Sequence, residues 1–227
     1  MVYSLLSVFA PMLLGTQIIL TMILVKGEIC PGQRGRLHKV LPSLGVLWLA
    51  VASIKIEAFM VVFAIFYFYS RVQTSKTRDE GPLWVLYLVN GLSLAYVGIL
   101  ISEAPSWSAS LSLFMMIFLL GSAFANMLLS IARSRLDAFH RILPVVGILS
   151  AMATTVCIVP FAYSLDSETL SQLTTPLLIS FSLLIGGIVF WSWHIITAKK
   201  PEKGQLSVAF LLVLLACTGF HSLYLIQ

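Results

Sequence analysis

The chain has 227 residues, of which 59% are apolar and 10% are charged, and its mean hydropathy is +0.99. This composition excludes a soluble globular domain and is typical of a polytopic membrane protein. The net charge of +5 gives no support for nucleic-acid binding, because the Lys and Arg residues are divided among separate loops rather than gathered on one basic face.

The apolar segments predict an all-α bundle of eight transmembrane helices, forming one transmembrane domain over residues 1–227. Gln17 is a lone polar residue in the first span and is expected to face other helices. In the fourth span, Gly91 and Gly98 are small positions suited to close helix contact. The predicted spans are about Tyr3–Val25, a hairpin of two spans over Val40–Tyr69, Leu83–Ile101, Leu111–Ile131, Ile142–Tyr163, Pro176–Thr197, and Leu206 to the C-terminus.

The segment Val40–Tyr69 decides the topology. As one straight helix it would be about 45 Å long, which exceeds the roughly 30 Å of hydrocarbon. As a hairpin that turns at Ser53–Glu57, each arm would be only about 22 Å long. Length therefore leaves both arrangements open.

The distribution of positive charge favours the hairpin. All 14 Lys and Arg residues except Lys55 lie in four short loops. A hairpin places these four loops on one side of the membrane, whereas a single helix would divide them between the two sides. Short cytoplasmic loops concentrate Lys and Arg. The sequence thus predicts that both termini lie outside and that Lys55 lies near the outer face.

Two ionisable residues, Lys55 and Glu57, fall at the tip of this hairpin and are the first candidates for a site. One interpretation is a polar turn whose side chains extend to the interface. The other is that Glu57 accepts a proton in a half-buried site. His221 lies toward the outer end of the last span, on the same side as Glu57. The three cysteines form no metal-ligand spacing, so no metal site is predicted.

Several stretches resemble the membrane-anchor subunit of the anaerobic dimethyl sulfoxide reductase family. The similarity covers most of the chain in order, although it consists of apolar patterns without a signature motif. The stretches that resemble helices of that family are YSLLSVFAPMLLGTQIILTMILVKGE, LWVLYLVNGLSLAYVGILISEAPSWSASLSLFMMIFLLGSAF, AFHRILPVVGILSAMAT and LSVAFLLVLLACTGFHSLYLI.

This resemblance implies eight helices with both ends outside, in the bacterial inner membrane. It also implies a subunit that oxidises menaquinol near the outer face, carries no haem, and assembles with an iron–sulfur electron-transfer subunit and a molybdopterin catalytic subunit. The acidic quinol-site residue of the family falls on Glu57. The chain departs from the family in lacking a longer loop, with a His and an Arg, between helices two and three. It also has Cys217 and His221 where the family has Glu and Arg.

We therefore expect a menaquinol-oxidising anchor subunit in which Glu57 accepts a proton and Lys55 and His221 help to bind the head group. The alternative is a non-catalytic scaffold or assembly subunit whose quinol site has decayed. A small-solute transporter is a third hypothesis, but it would need polar residues continuous through both leaflets, and Gln17, Asn90 and Asn126 are sparse.

Overall fold

The structure is a computed structural model that describes residues 2–73, 80–133, 136–197 and 202–225. In these ranges the chain forms nine α-helices and one short 3₁₀ turn, which confirms the predicted all-α fold. The elements are α1 (Val2–Lys26), α2 (Pro31–His38), α3 (Leu41–Ala52), the 3₁₀ turn (Ile56–Ala58), α4 (Phe59–Gln73), α5 (Leu83–Ser102), α6 (Trp107–Ile131), α7 (Asp137–Ser164), α8 (Ser167–Ile196) and α9 (Lys203–Tyr224).

Six helices of the described chain, α1 and α5 to α9, are long and apolar enough to cross a membrane. The prediction of eight transmembrane helices is therefore corrected to six helices of that length. The difference lies in the predicted hairpin, whose arms α3 and α4 have only 12 and 15 residues. A helix needs about 20 residues to span the hydrocarbon without help from other segments.

Side-chain caps explain why α6 and α8 begin earlier than the sequence predicts. The Ser106 hydroxyl accepts a hydrogen bond from the Ala109 backbone N–H at 3.3 Å, so α6 starts at Trp107. The Asp166 carboxylate accepts one from the Thr169 backbone N–H at 3.1 Å, so α8 starts at Ser167 rather than near Pro176. Such caps satisfy backbone donors that have no partner within the helix.

Helices α1 and α6 approach each other closely where Gly15 lies against Gly121. A Cβ added at Gly15 would lie 2.0 Å from the Ile117 carbonyl oxygen, and one added at Gly121 would lie 2.6 Å from the Gly15 Cα. Only glycine allows backbones to approach so closely. The expectation of close contact at Gly91 and Gly98 is wrong, because an added Cβ would meet nothing within 4 Å there.

Described residues from the connections after α1, α4 and α6 meet at one end of the bundle. Arg36 of α2 donates from Nε to the Ala132 carbonyl at 2.9 Å and from Nη2 to the Arg133 carbonyl at 3.3 Å, at the end of α6. Arg34 of α2 forms an ion pair with Glu80, just before α5, at 2.9 Å. We call this end of the bundle the basic end.

Candidate functional site

The chain reverses between α3 and α4 at the residues that the sequence predicts. The Ser53 backbone N–H donates to the Leu49 carbonyl at 3.2 Å, which closes the last turn of α3. Lys55 then takes an extended conformation, with φ −134° and ψ 119°, before the 3₁₀ turn begins. The returning helix packs on the first, since a Cβ at Gly45 of α3 would lie 2.9 Å from the Phe66 ring of α4. The predicted reversal of the chain is confirmed, whereas its two arms are not among the described helices long enough to cross a membrane.

An ion pair fixes the tip of this hairpin to the end of α5. The Lys55 ammonium donates to the carboxylate of Glu103, the residue that follows Ser102 at the end of α5. The two side chains are 34% and 54% exposed. The hydrogen bond to Glu103 is the main reason why the pKa of Lys55 is raised, and the nearby charge of Glu57 contributes to the same effect. Lys55 is therefore a stable cation at this end, opposite the basic end.

Glu57 is exposed, in the first turn of the 3₁₀ segment. Its carboxylate lies near enough to Lys55 for electrostatic attraction, but forms no hydrogen bond with another described residue. The half-buried surroundings considered for Glu57 are absent in the free chain, although Ala58 of the same 3₁₀ turn is buried. This placement suits the interpretation of a polar turn, and also leaves the carboxylate open to a ligand or a partner.

Below the tip, a buried polar network reaches to the middle of α1. The Tyr96 ring, 9% exposed, meets the edge of Trp48 with ring centroids 5.7 Å apart. The indole Nε1 of Trp48 donates to Gln17 Oε1 at 3.0 Å. Gln17 Nε2 donates to the Ser93 hydroxyl and to the Val89 carbonyl. The prediction that Gln17 faces other helices is confirmed.

Trp48, Ser93 and Tyr96 are not among the site residues that the sequence predicts. A signal was present, because Val89, Ser93 and Tyr96 recur at helical spacing and so lie on one face of α5. The side chains of the network come from α1, α3 and α5. Which of them form hydrogen bonds with one another depends on how these helices cross. The network therefore becomes evident only from the three-dimensional arrangement.

His221 is not brought together with the two residues at the tip. It is 6% exposed in α9, a helix that packs mainly on α8 and α6. No hydrogen bond among the described residues joins it to Lys55 or Glu57. Its neighbours on the same face of α9 are Cys217 and Tyr224, which are fully buried or nearly so. Any role of His221 in binding a head group remains a prediction.

Two other histidines meet at the basic end. His140 Nδ1 lies 2.6 Å from the Asn126 side-chain oxygen. His194 Nε2 donates toward the His140 carbonyl at 3.0 Å, while its Nδ1 lies 2.8 Å from the Trp191 carbonyl. These contacts join the ends of α6, α7 and α8. Among the described residues, no group of three or more His, Cys, Asp or Glu side chains is arranged to hold a metal ion.

The fold and this site define a helical, multi-pass integral membrane protein with a mixed-charge cluster at the end opposite its basic loops. The chain belongs to the family described as "integral membrane domain", which matches residues 2–221. It is also similar to an uncharacterized protein of Haemophilus influenzae, with 31% identity over 143 residues. That match covers 59% of this chain and 53% of the relative, so the chain spans about half of the relative's length. No solved structure matches the chain.

Proposed function

We propose that this protein is the membrane-anchor subunit of a molybdopterin oxidoreductase in the bacterial inner membrane, where it oxidises menaquinol near the outer face. The observation that carries the proposal is the cluster of Lys55, Glu57 and Glu103 at the end of the bundle opposite the basic loops. The resemblance to anchor subunits of the dimethyl sulfoxide reductase family supports it, and the relative from Haemophilus influenzae agrees with a bacterial membrane.

The proposed orientation follows from the charges at the two ends. Arg34 and Arg36 join the loops after α1, α4 and α6 at the basic end, and this end would face the cytoplasm. The six long helices, with a hairpin that returns to its starting side, then leave both termini outside. The hairpin itself would cross the membrane as two short arms, because its tip meets Glu103 at the outer end of α5, whose 20 residues match a full span.

In this proposal Glu57 is the proton acceptor. Oxidation of menaquinol to menaquinone releases two protons and two electrons. The exposed Glu57 carboxylate would take one proton from a quinol hydroxyl and pass it to the outer solution, and the second hydroxyl would release its proton directly to the same solution. Lys55, held in place by Glu103, would orient the head group by hydrogen bonding. The electrons would pass to the iron–sulfur subunit bound at this face, and from there to the molybdopterin subunit.

The test compares Glu57→Gln with Glu202→Gln in membranes that contain the assembled complex. Glu202 is an exposed glutamate just before α9, at the basic end, so its replacement matches the charge change without touching the proposed site. We expect menaquinol-dependent turnover to fall about 10²-fold or more in Glu57→Gln, as for loss of a general base, and to be unchanged in Glu202→Gln. Normal turnover of an assembled Glu57→Gln complex would remove Glu57 from the reaction.

A second candidate is a non-catalytic scaffold subunit of a membrane complex. The observation that favours it is that Lys55 is already paired with Glu103, while His221 is buried in a different part of the bundle. A scaffold would assemble with its partners but would not bind a quinol analogue. Titration of the purified complex with such an analogue separates the two candidates, since saturable binding that Lys55→Ala weakens would contradict a pure scaffold.

A further inference from the structure

An apolar groove opens toward the lipid between α1, α6 and α7, in the half of the bundle nearer the basic end. Its volume is about 270 Å³, close to the lower limit for small-molecule pockets. The groove exists because α1 and α7 both pack along α6 yet scarcely touch each other in the described chain. Its walls include Ile18 and Met22 of α1, Phe118 and Ser122 of α6, and Ile142 and Val146 of α7.

The groove is open to the bilayer along its length. The side chains of Met22, Phe118 and Ile142 are 55%, 44% and 54% exposed. The one hydroxyl in the wall, that of Ser122, donates to the carbonyls of its own helix and so offers the groove no free donor. From Met22 to Gly15, the groove descends about 10 Å along α1 toward the middle of the span. These dimensions suit a segment of one hydrocarbon chain.

Cations lie at the end of this groove that faces the basic loops. Lys26 comes one turn after Met22 on the same face of α1, and its side chain is exposed. Arg133 lies in the connection between α6 and α7, the other two walls, and is also exposed. Arg36 donates to the backbone carbonyl of Arg133, so a third cation belongs to the same cluster. Neither Lys26 nor Arg133 takes part in an ion pair among the described residues.

We propose that this groove binds one acyl chain of an anionic phospholipid whose phosphate is held by Lys26 and Arg133. The groove alone gives little preference, because lipid tails are as apolar as its walls. Selection must therefore come from the head group, and two unpaired cations above an apolar groove favour a lipid with net negative charge. A neutral isoprenoid chain would gain nothing from them. This inference is independent of the proposed function.

The test is native mass spectrometry of the full chain, released from mixed micelles that contain equal amounts of phosphatidylglycerol and phosphatidylcholine. We expect wild-type protein to retain phosphatidylglycerol preferentially. Lys26→Gln and Arg133→Gln should each lower this preference about fivefold, from the attraction of one cation near a membrane surface. Lys203→Gln is the matched control, because Lys203 is an exposed cation at the same end but begins α9, away from the groove.

A second pair of variants tests the acyl chain separately from the head group. Ile142→Trp fills the groove, whereas Val145→Trp adds the same side chain on the lipid-facing surface of α7 outside it, where Val145 is 51% exposed. We expect the first to reduce retention of phosphatidylglycerol and the second to leave it unchanged. Both replaced positions face lipid, so the fold should tolerate either side chain, and the helical content of each variant checks this.

Several results would overturn the proposal. Equal retention of the two lipids would show that binding does not depend on the charge of the head group. An equal loss in Lys203→Gln and Lys26→Gln would indicate general attraction to a basic surface. Unchanged retention in Ile142→Trp would place the lipid elsewhere. Displacement of phosphatidylglycerol by added menaquinone, or by a second copy of the chain in dimers, would assign the groove to another occupant. Displacement by inorganic phosphate alone would mean that the acyl chain plays no part.

Discussion

The crossing of α1 and α6 at Gly15 yields the sharpest prediction about stability. In Gly15→Ala the new Cβ would lie 2.0 Å from the Ile117 carbonyl oxygen and 2.9 Å from the Gly121 Cα. Both of these are backbone atoms, so no side-chain rotation relieves the clash. The two helices must move apart by more than 1 Å to reach ordinary van der Waals contact, which begins at about 3.4 Å.

The change in stability caused by Gly15→Ala has three contributions. Overpacking of a tight contact costs about 1–3 kcal/mol. Separation also weakens the bond that the Thr16 hydroxyl donates to the Gly121 carbonyl at 3.1 Å, and an interhelical hydrogen bond in a membrane contributes about 0.6 kcal/mol. The higher helix propensity of alanine returns up to about 1 kcal/mol. The expected net destabilisation is therefore about 2 kcal/mol.

Gly91→Ala is the matched control, since an added Cβ at Gly91 meets nothing within 4 Å and only the propensity gain remains. The assay is unfolding of the purified protein in mixed micelles with increasing sodium dodecyl sulfate, followed by the fluorescence of tryptophans that include the buried Trp48. We expect Gly15→Ala to unfold at lower denaturing-detergent content than wild type and Gly91→Ala to unfold at the same or higher content. Equal stability of the two variants would refute the close approach of α1 and α6.

Three further predictions follow from the ends of the bundle. Burial, with a smaller effect of Arg34, lowers the pKa of His38 to about 4. The stability of the protein should therefore fall as the pH is lowered from 6.5 toward 4. In melting curves recorded at several pH values, His38→Phe should abolish this dependence. Hydrogen bonding to Thr169 lowers the pKa of the Asp166 carboxyl. The cap that Asp166 provides to α8 is therefore complete above pH 3.8 and is lost only in stronger acid. At neutral pH, Asp166→Ala should lower the melting temperature of the protein, whereas Asp166→Asn should keep the wild-type melting temperature. Arg36→Gln should loosen the connection between α6 and α7, because it removes a charged donor from the carbonyls that end α6, and limited proteolysis of this connection should become faster than in the Lys39→Gln control.

The sequence was sufficient for the features that depend on composition and on charge. Hydropathy located the six long helices to within a few residues at most ends. The division of Lys and Arg among the loops predicted the reversal near Lys55, which apolar length alone could not decide. These signals are strong because the bilayer imposes one length and one charge asymmetry on every span.

Features that depend on how helices cross were beyond the sequence. Gly15 and Gly91 are both glycines in apolar helices, yet only Gly15 lies at a crossing. The sequence indicated hairpin arms of about 22 Å each, but hydropathy alone counted both arms as transmembrane helices, whereas α3 and α4 have only 12 and 15 residues. The predicted set of Lys55, Glu57 and His221 was drawn from residues at one side of the membrane. Residues at the same depth in the membrane can lie in different parts of the bundle. The structure buries His221 in α9, in a contact that is separate from the hairpin tip.

The orientation of the hairpin tip is the claim on which the proposed site depends, and accessibility of a single cysteine tests it most directly. Lys55→Cys would be introduced after replacement of Cys30, Cys157 and Cys217, and intact spheroplasts would be treated with a membrane-impermeant maleimide. The proposed orientation predicts labelling of Lys55→Cys from outside, and labelling of Lys39→Cys only after the membrane is permeabilised. Labelling of Lys55→Cys only after permeabilisation would place the tip in the cytoplasm and contradict the quinol site proposed there.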